Sequence, residues 1–227
     1  PFGLIIIDEC HHSSSAMYRK ILDYFRNLNP QLKVVGITAT PNRADGAALG
    51  MIYQDNSYQI SIGEMINQGW LVPIRQEYAV CSDLNFDGIA SRKNDYGESD
   101  FKQSDLSEVL EEEAVEHQMA LIMLDRCGDR KTIVFCASVK QAHDLAAIVN
   151  RYLTERGRTE TAAAIDGTTE KEKRRELIKE FSHGKIQFLT NVAVLSEGFD
   201  APSCRCIVMA RPTKSLGLYI QMLGRGL

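Results

Sequence analysis

No run of about 18 apolar residues occurs anywhere in the 227-residue chain, so no membrane-spanning helix is expected. Nothing at the amino end has the pattern of a secretory signal, which places the chain in the cytoplasm by expectation. A basic excess is also missing. The net charge of −4 argues against a uniformly basic nucleic-acid coat but leaves room for a local basic groove. Residues 1–76 carry six basic and six acidic side chains, so the acidic excess lies in the remainder. It is densest in Glu108–Glu116 (EVLEEEAVE), which reads as a solvated helix face. There is no CxxC pair among the six cysteines, and several lie in apolar strand-like runs, the pattern of buried reduced thiols. Cys10-His11-His12 and Cys204-Arg205-Cys206 have a metal-like composition, but adjacent strand residues point to opposite faces, against a zinc site. No internal repeat or low-complexity tract is present. The most informative absence is a phosphate loop: none of the sixteen glycines fits GxxxxGK[ST]. The nearest segment, Gly128-Asp129-Arg130-Lys131-Thr132, lacks a second glycine and precedes a strand.

What is present is an alternation of strand and helix signals, the mark of βα units on a parallel sheet. Leu4–Ile7 reads as a buried strand, and apolar positions at helical spacing between Ala16 and Leu28 read as a helix. Lys33–Thr38 is the next strand and Ile62–Gly69 a short helix, followed by a strand-like run from Ile74 to Val80. The next segment is rich in Asp, Ser, Asn and Gly, a linker composition. The expected division is therefore 1–76 and 77–227. The second part should hold a long helix over 106–127, a strand at 131–136, a helix at 140–153 and strands at 162–165, 185–189 and 206–209. Thr169 and Glu172 have capping-box spacing ahead of a helix through Phe181, and Leu216–Leu223 closes the series as a helix.

The opening PFGLIIIDECHH drives a strand straight into two acids. Functional side chains of parallel sheets gather at the carboxyl ends of strands. One carboxylate there can hold Mg²⁺ through water, and its neighbour can orient an attacking water. By itself the Asp8-Glu9 pair reads equally as a surface strand end.

It does not stand by itself. DECH (8–11) is followed in order by TATP (38–41), IVFC (133–136), LTNVAVLSEGFDAP (189–202) and QMLGRG (221–226). This set resembles the superfamily 2 helicases of DExH type, in the branch of restriction-enzyme translocase subunits, phage recombination helicases and repair or transcription helicases. The resemblance covers nearly the whole chain. It implies two RecA-like α/β domains, the first partial and the second nearly complete, with ATP and Mg²⁺ as cofactors and nucleic acid, DNA rather than RNA, as partner. Asp8 and Glu9 would hold Mg²⁺ and position water, with His11 relaying toward Gln221. Thr38 and Thr40 would couple the nucleotide to movement. Gly198 and Asp200 would sit at the nucleotide, Ser138 and Thr190 at the nucleic-acid backbone, and Arg225 at the γ-phosphate. The chain would begin inside the first domain, past the phosphate loop, and without that loop these residues alone should hydrolyse no ATP. The family pattern continues to a second arginine one position beyond Leu227, which leaves the finger role of Arg225 open.

Other readings remain. Ser138 has the spacing of a helix cap. Thr190 also fits a plain βα turn, and Lys171, Lys173, Arg174 and Arg175 a solvated helix flank. Trp70 can stack on a base or fill a core. A double-stranded DNA translocase, a non-catalytic nucleic-acid-binding module and a metallohydrolase built on Cys10-His11-His12 are the rival functions.

Overall fold

A computed structural model describes residues 2–39, 49–82, 84–93, 98–195 and 202–227. The chain divides into two compact units. The first comprises Pro1–Pro73, Lys93–Ser99 and Ser215–Ile220, and the second Ile74–Arg92, Asp100–Lys214 and Gln221–Leu227.

In the first unit, β1 (Leu4–Ile7), α1 (Ala16–Leu28) and β2 (Lys33–Gly36) form one βαβ unit. The strands run parallel, with Leu4 opposite Lys33 and Ile7 opposite Gly36. The β-branched run Ile5-Ile6-Ile7 suits a pleated strand. A small core of Ile7, Cys10, Leu22 and Ile52 lies beneath the strands. Gly36 is required there, because a Cβ at this position would come within 2.7 Å of Cys10 and 2.6 Å of the Tyr53 ring. A short helix, α2 (Ile62–Asn67), opens with a full capping box. Glu64 N–H donates to Ser61 Oγ (3.1 Å), and Ser61 N–H donates to Glu64 Oε2 (2.8 Å).

The short strands β3 (Ser91–Lys93) and β4 (Ser99–Phe101) precede the helices α3 (Gln103–Leu110) and α4 (Glu113–Cys127) of the second unit. A βα series comes next: β5 (Thr132–Phe135), α5 (Val139–Glu155), β6 (Thr161–Ile165), α6 (Lys171–Ser182), β7 (Ile186–Asn191) and β8 (Cys206–Met209). In the chain the helix α7 (Leu216–Gly224) follows, its residues from Gln221 onward belonging to the second unit. The four strands β5 to β8 form a parallel sheet in the order β6-β7-β5-β8. Every residue of β5 and β7 is buried, as central strands covered on both faces require. Leu106, Leu110, Met119, Met123, Leu145 and Val149 of the helices pack with Val134 and Phe188 in one core. The buried Gln141 ties the layers together: its Oε1 accepts from Ala137 N–H (2.7 Å), and its Nε2 donates to Ala210 O (3.1 Å).

The α/β architecture with a parallel sheet is the expected one, with four local departures. Residues 74–80 join no ladder. The long helix over 106–127 is two helices, interrupted at Glu111-Glu112, where Glu111 is engaged by the Ser138 hydroxyl. The acidic stretch is only partly a solvated face, since Glu116 is 3% exposed. The capping box at 169–172 does not form: Glu170 is the cap position without a side-chain bond, and Thr169 Oγ1 instead accepts from Asp166 N–H (3.0 Å).

Candidate functional site

In the first unit the site grows from the end of β1. Asp8 is exposed and accepts from Glu9 N–H at Oδ1 (2.9 Å). Glu9 then turns the chain with φ 47° and ψ 48°. The left-handed region costs a non-glycine residue on the order of 1 kcal/mol or more, and it persists where surrounding bonds over-determine it. Those bonds are present. Cys10 N–H donates to Ile37 O (3.0 Å), Ile37 N–H to Ile7 O (2.9 Å), and Ser13 Oγ–H to Cys10 O (2.5 Å). The single turn Cys10–His12 is thereby locked to the end of β2.

The lock also buries His11 completely. Its Nδ1 lies 2.8 Å from Thr38 Oγ1 and 3.3 Å from Glu9 Oε2. A chain Glu9–His11–Thr38 thus joins the end of β1 to the segment after β2. The Thr38 hydroxyl holds the imidazole at Nδ1, and the Glu9 carboxylate lies against the same nitrogen. Cys10 faces the other way, against Gly36 and Tyr53, and its thiol is pushed up chiefly by burial. Cys10 and His11 therefore do not converge on one point, and no cluster of three His, Cys, Asp or Glu side chains suited to a metal exists among the described residues. The hard, exposed Asp8 carboxylate beside Glu9 does fit Mg²⁺ held largely through water, which needs no protein cage. Thr40, Gly198 and Asp200 lie outside the described residues.

In the second unit, Phe135, Ile165 and Asn191 are in register across β5, β6 and β7, so the segments following them share the carboxyl edge of the sheet. Ser138 is there as the N-cap of α5: its Oγ accepts from Gln141 N–H (3.0 Å) and its hydroxyl donates to Glu111. Thr190 is fully buried, and its Oγ1–H donates to Ala142 O (2.8 Å), so the hydroxyl faces inward rather than out of the edge. Val192 to Val194 form the accessible turn beyond it, with Ala193 at φ 54°.

Two arrangements at this edge escaped the sequence reading. His143 Nε2 lies 2.8 Å from Asp166 Oδ2, while Thr168 N–H and Oγ1–H donate to Asp166 Oδ1 (2.7 and 2.6 Å). The Thr168 and His143 bonds hold the Asp166 carboxyl down at about 2. His143, 55% exposed, presents the rest of its ring to solvent. The only signal in sequence was Asp166-Gly167 after a strand. The second arrangement is Asp100, 3% exposed, which accepts from Thr213 Oγ1–H and Lys214 N–H (both 2.8 Å) with Arg211 at 3.5 Å. It fixes the segment leading into α7, and nothing local marks it in sequence.

On α7, Gln221 is buried at 5% exposed. The helix stops at Gly224, so Arg225 lies on the turn beyond it, with its N–H bonded to Met222 O (3.2 Å). The two positions thus do not share one continuous helix face. Arg174 points back to Asp166 O (3.1 Å) and Lys173 pairs with Glu176 (2.8 Å), the solvated-flank arrangement. Trp70 is 74% exposed, not core. Its preceding turn at Gly69 (φ 79°) sets the ring outside the small apolar cluster.

Comparison with known proteins places the chain in a family. Residues 113–227 match the family described as helicase conserved C-terminal domain, and residues 1–43 match the type III restriction enzyme res subunit family. The chain belongs to the former family, and with it to the superfamily 2 helicases. IRC3 of Saccharomyces cerevisiae, a predicted ATP-dependent helicase, is 32% identical over 99% of this chain. A predicted mitochondrial ATP-dependent helicase of Schizosaccharomyces pombe is 32% identical over all of it, and an EcoAI type I restriction endonuclease subunit of Escherichia coli 27% identical over 99%. The chain spans 32%, 36% and 29% of the lengths of these relatives. In fold, it resembles the Mycobacterium smegmatis helicase Lhr bound to single-stranded DNA and AMP-PNP (TM-score 0.58, 19% identity, 98% of this chain and 26% of that one). The S. cerevisiae Dbp5 L327V variant bound to Gle1 is similar in the same way (TM-score 0.58, 18% identity, 98% of this chain and 48% of that one). These are the RecA-like domains that the motif order implied.

Proposed function

We propose that this chain is part of an ATP-dependent nucleic-acid helicase or translocase, with DNA as the preferred track. The observation that carries the proposal is the fully buried His11 behind the acid pair, whose Nδ1 lies 2.8 Å from Thr38 Oγ1 and 3.3 Å from Glu9 Oε2. A surface acid pair has no need of a fully buried histidine behind it. Asp8 holds Mg²⁺ through water, and Glu9, aimed by His11, orients the attacking water. Bound Mg²⁺ supplies charge neutralisation at the transferring phosphoryl group. Thr38, with Thr40, transmits the state of that site to the rest of the first unit, and His11 relays toward Gln221. Arg225 supplies transition-state charge, while Gly198 and Asp200 meet the nucleotide. Ser138 and Thr190 set the carboxyl edge that meets the nucleic-acid backbone, Thr190 from inside by fixing β7 against α5. DNA is favoured by kinship with restriction-enzyme subunits. No helix among the described residues is long and apolar enough to cross a membrane, and all six cysteines are free thiols, in keeping with an intracellular site.

These 227 residues contain no phosphate-cradling loop, so the isolated chain is expected to turn over no ATP with or without nucleic acid. Measurable nucleic-acid-stimulated phosphate release by the pure chain would overturn this. For the full-length protein, strand displacement set against triplex displacement separates a helicase from a double-stranded translocase. Loss of neither nucleic-acid binding nor remodelling in a Glu9→Gln full-length variant would favour a non-catalytic binding module.

A further inference from the structure

The edge of the second unit's sheet opposite the motif edge carries an arrangement that the motor does not use. Cys127 is the last residue of α4, and Cys206 is the first of β8, opposite Thr132 of β5. Seventy-nine positions apart in sequence, their sulfurs lie 3.6 Å from each other. Cys127 lines a cleft of about 620 Å³ whose rim carries Arg126, Arg130, Lys131 and Arg205 against Asp125 and Asp129. Asp129 is paired with Arg158 (2.8 Å) and Asp125 with Arg126 (3.3 Å), which leaves Arg130, Lys131 and Arg205 to make the cleft electropositive. Cys206 is half-buried, and Cys127 is 2% exposed.

From this geometry we infer that Cys206 and Cys127 form a thiol–disulfide exchange site for a small anionic disulfide, with Cys206 as the attacking thiolate and Cys127 as the resolving thiol. The remaining chemistry agrees. The contact with Cys127 and the Arg130 cation pull the Cys206 thiol below its ordinary range against the opposing effect of burial, whereas Cys127 is held up by the same contact and by burial. Elsewhere burial works against reaction. Cys136 is pushed up to about 12, and Cys10 and Cys204 are also raised. Cys204, two residues from Cys206, directs its thiol to Cys206 O (3.2 Å) and not to the Cys206 sulfur.

The reaction balances in two steps. The Cys206 thiolate attacks one sulfur of RSSR, forming Cys206–S–S–R and releasing RS⁻. Cys127 then loses its proton to a released RS⁻ or to solvent and attacks the Cys206 sulfur, which expels the second RS⁻. Two protein thiols are oxidised and one small disulfide is reduced to two thiols. The product ties the end of α4 to the start of β8, across strands already paired through Thr132 and Cys206. Cys206 borders this cleft through its chain neighbour Arg205 and its contact with Cys127, and the cationic rim there favours a disulfide bearing carboxylates over a neutral one.

The test treats the full chain with oxidised glutathione at neutral pH, blocks remaining thiols with iodoacetamide after denaturation, and maps the peptides by mass. The expected product is a Cys127–Cys206 linked peptide lighter by two hydrogen atoms, with the other four cysteines alkylated. In Cys127→Ser the reaction should stop at a glutathione adduct on Cys206. In the untreated native chain, iodoacetamide should label Cys206 at least about tenfold faster than Cys81 at pH 7. The proposal fails if the first adduct falls on Cys81, if the linked pair is Cys204–Cys206, or if Cys206 stays unmodified in native wild type. The wild-type map decides even where the serine variant folds poorly.

Discussion

The two units bury their strands very differently. In β5 and β7 every side chain is covered, whereas in β1 Leu4 and Ile6 are 48% and 62% exposed, and Val35 of β2 is 46% exposed. Composition does not explain the difference, since the more exposed LIII is the more apolar of LIII and TIVF. What differs is the company each strand keeps. The four-stranded sheet has α3, α4 and α5 contributing to one core, while the core at β1 and β2 has four buried residues, Ile7, Cys10, Leu22 and Ile52. Stability should therefore concentrate in the second unit, because hydrophobic stabilisation scales with apolar area removed from water. The acid pair belongs to the less buried unit, and its precision comes from the hydrogen bonds around Cys10 and His11 rather than from a large core.

The sharpest way to break this contrast is Phe188→Ala. Removing a fully buried ring should cost about 3–5 kcal/mol and lower the main thermal transition. An unchanged melting temperature would show that the sheet is not where stability resides. Gly36→Ala is next. The added Cβ meets Tyr53 and Cys10, and overpacking of this kind costs about 1–3 kcal/mol. Hydrogen exchange should quicken at Ile37 and Cys10, with the amides of β5 and β7 unmoved; quickening in both units would break the distinction.

A smaller, pH-dependent effect sharpens the picture within the second unit. Burial, aided by the Asp144 charge, pushes the Glu116 carboxyl up to about 7, and Glu116 Oε1 has no hydrogen-bond partner. The folded state thus holds a proton that the unfolded chain releases near pH 4.5, so stability falls as pH rises from there through about 7. Glu116→Gln should add about 2 kcal/mol at pH 8 and little at pH 4, read from urea unfolding at the two pH values. Equal effects at both would rule out titration as the cause.

The sequence was most legible where residues of one type repeat at a fixed period. The strand at Leu4–Ile7, the helix at Ala16–Leu28 and the strand at Cys206–Met209 fall where apolar spacing put them. It was least legible where one distant group captures a side chain. Ser138 takes Glu111 and breaks a helix that looks continuous, and Thr169 turns to Asp166 instead of capping. The site divides in the same way. The candidate residues Asp8, Glu9 and His11 fall within four consecutive positions and stand out at once, and Thr38 stands out as a strand end. The His11–Thr38 bond spans 27 positions and only the fold discloses it. Asp100 clamping Thr213 and Lys214 is of the same kind.

Under the proposed function, Glu9 beside His11 activates water for ATP hydrolysis. Its most direct test is nucleic-acid-stimulated ATP turnover by the full-length protein and by its Glu9→Gln variant, with single-stranded DNA affinity measured alongside. The account predicts a loss of roughly 100-fold or more in kcat with DNA affinity retained. Undiminished turnover in Glu9→Gln would contradict it.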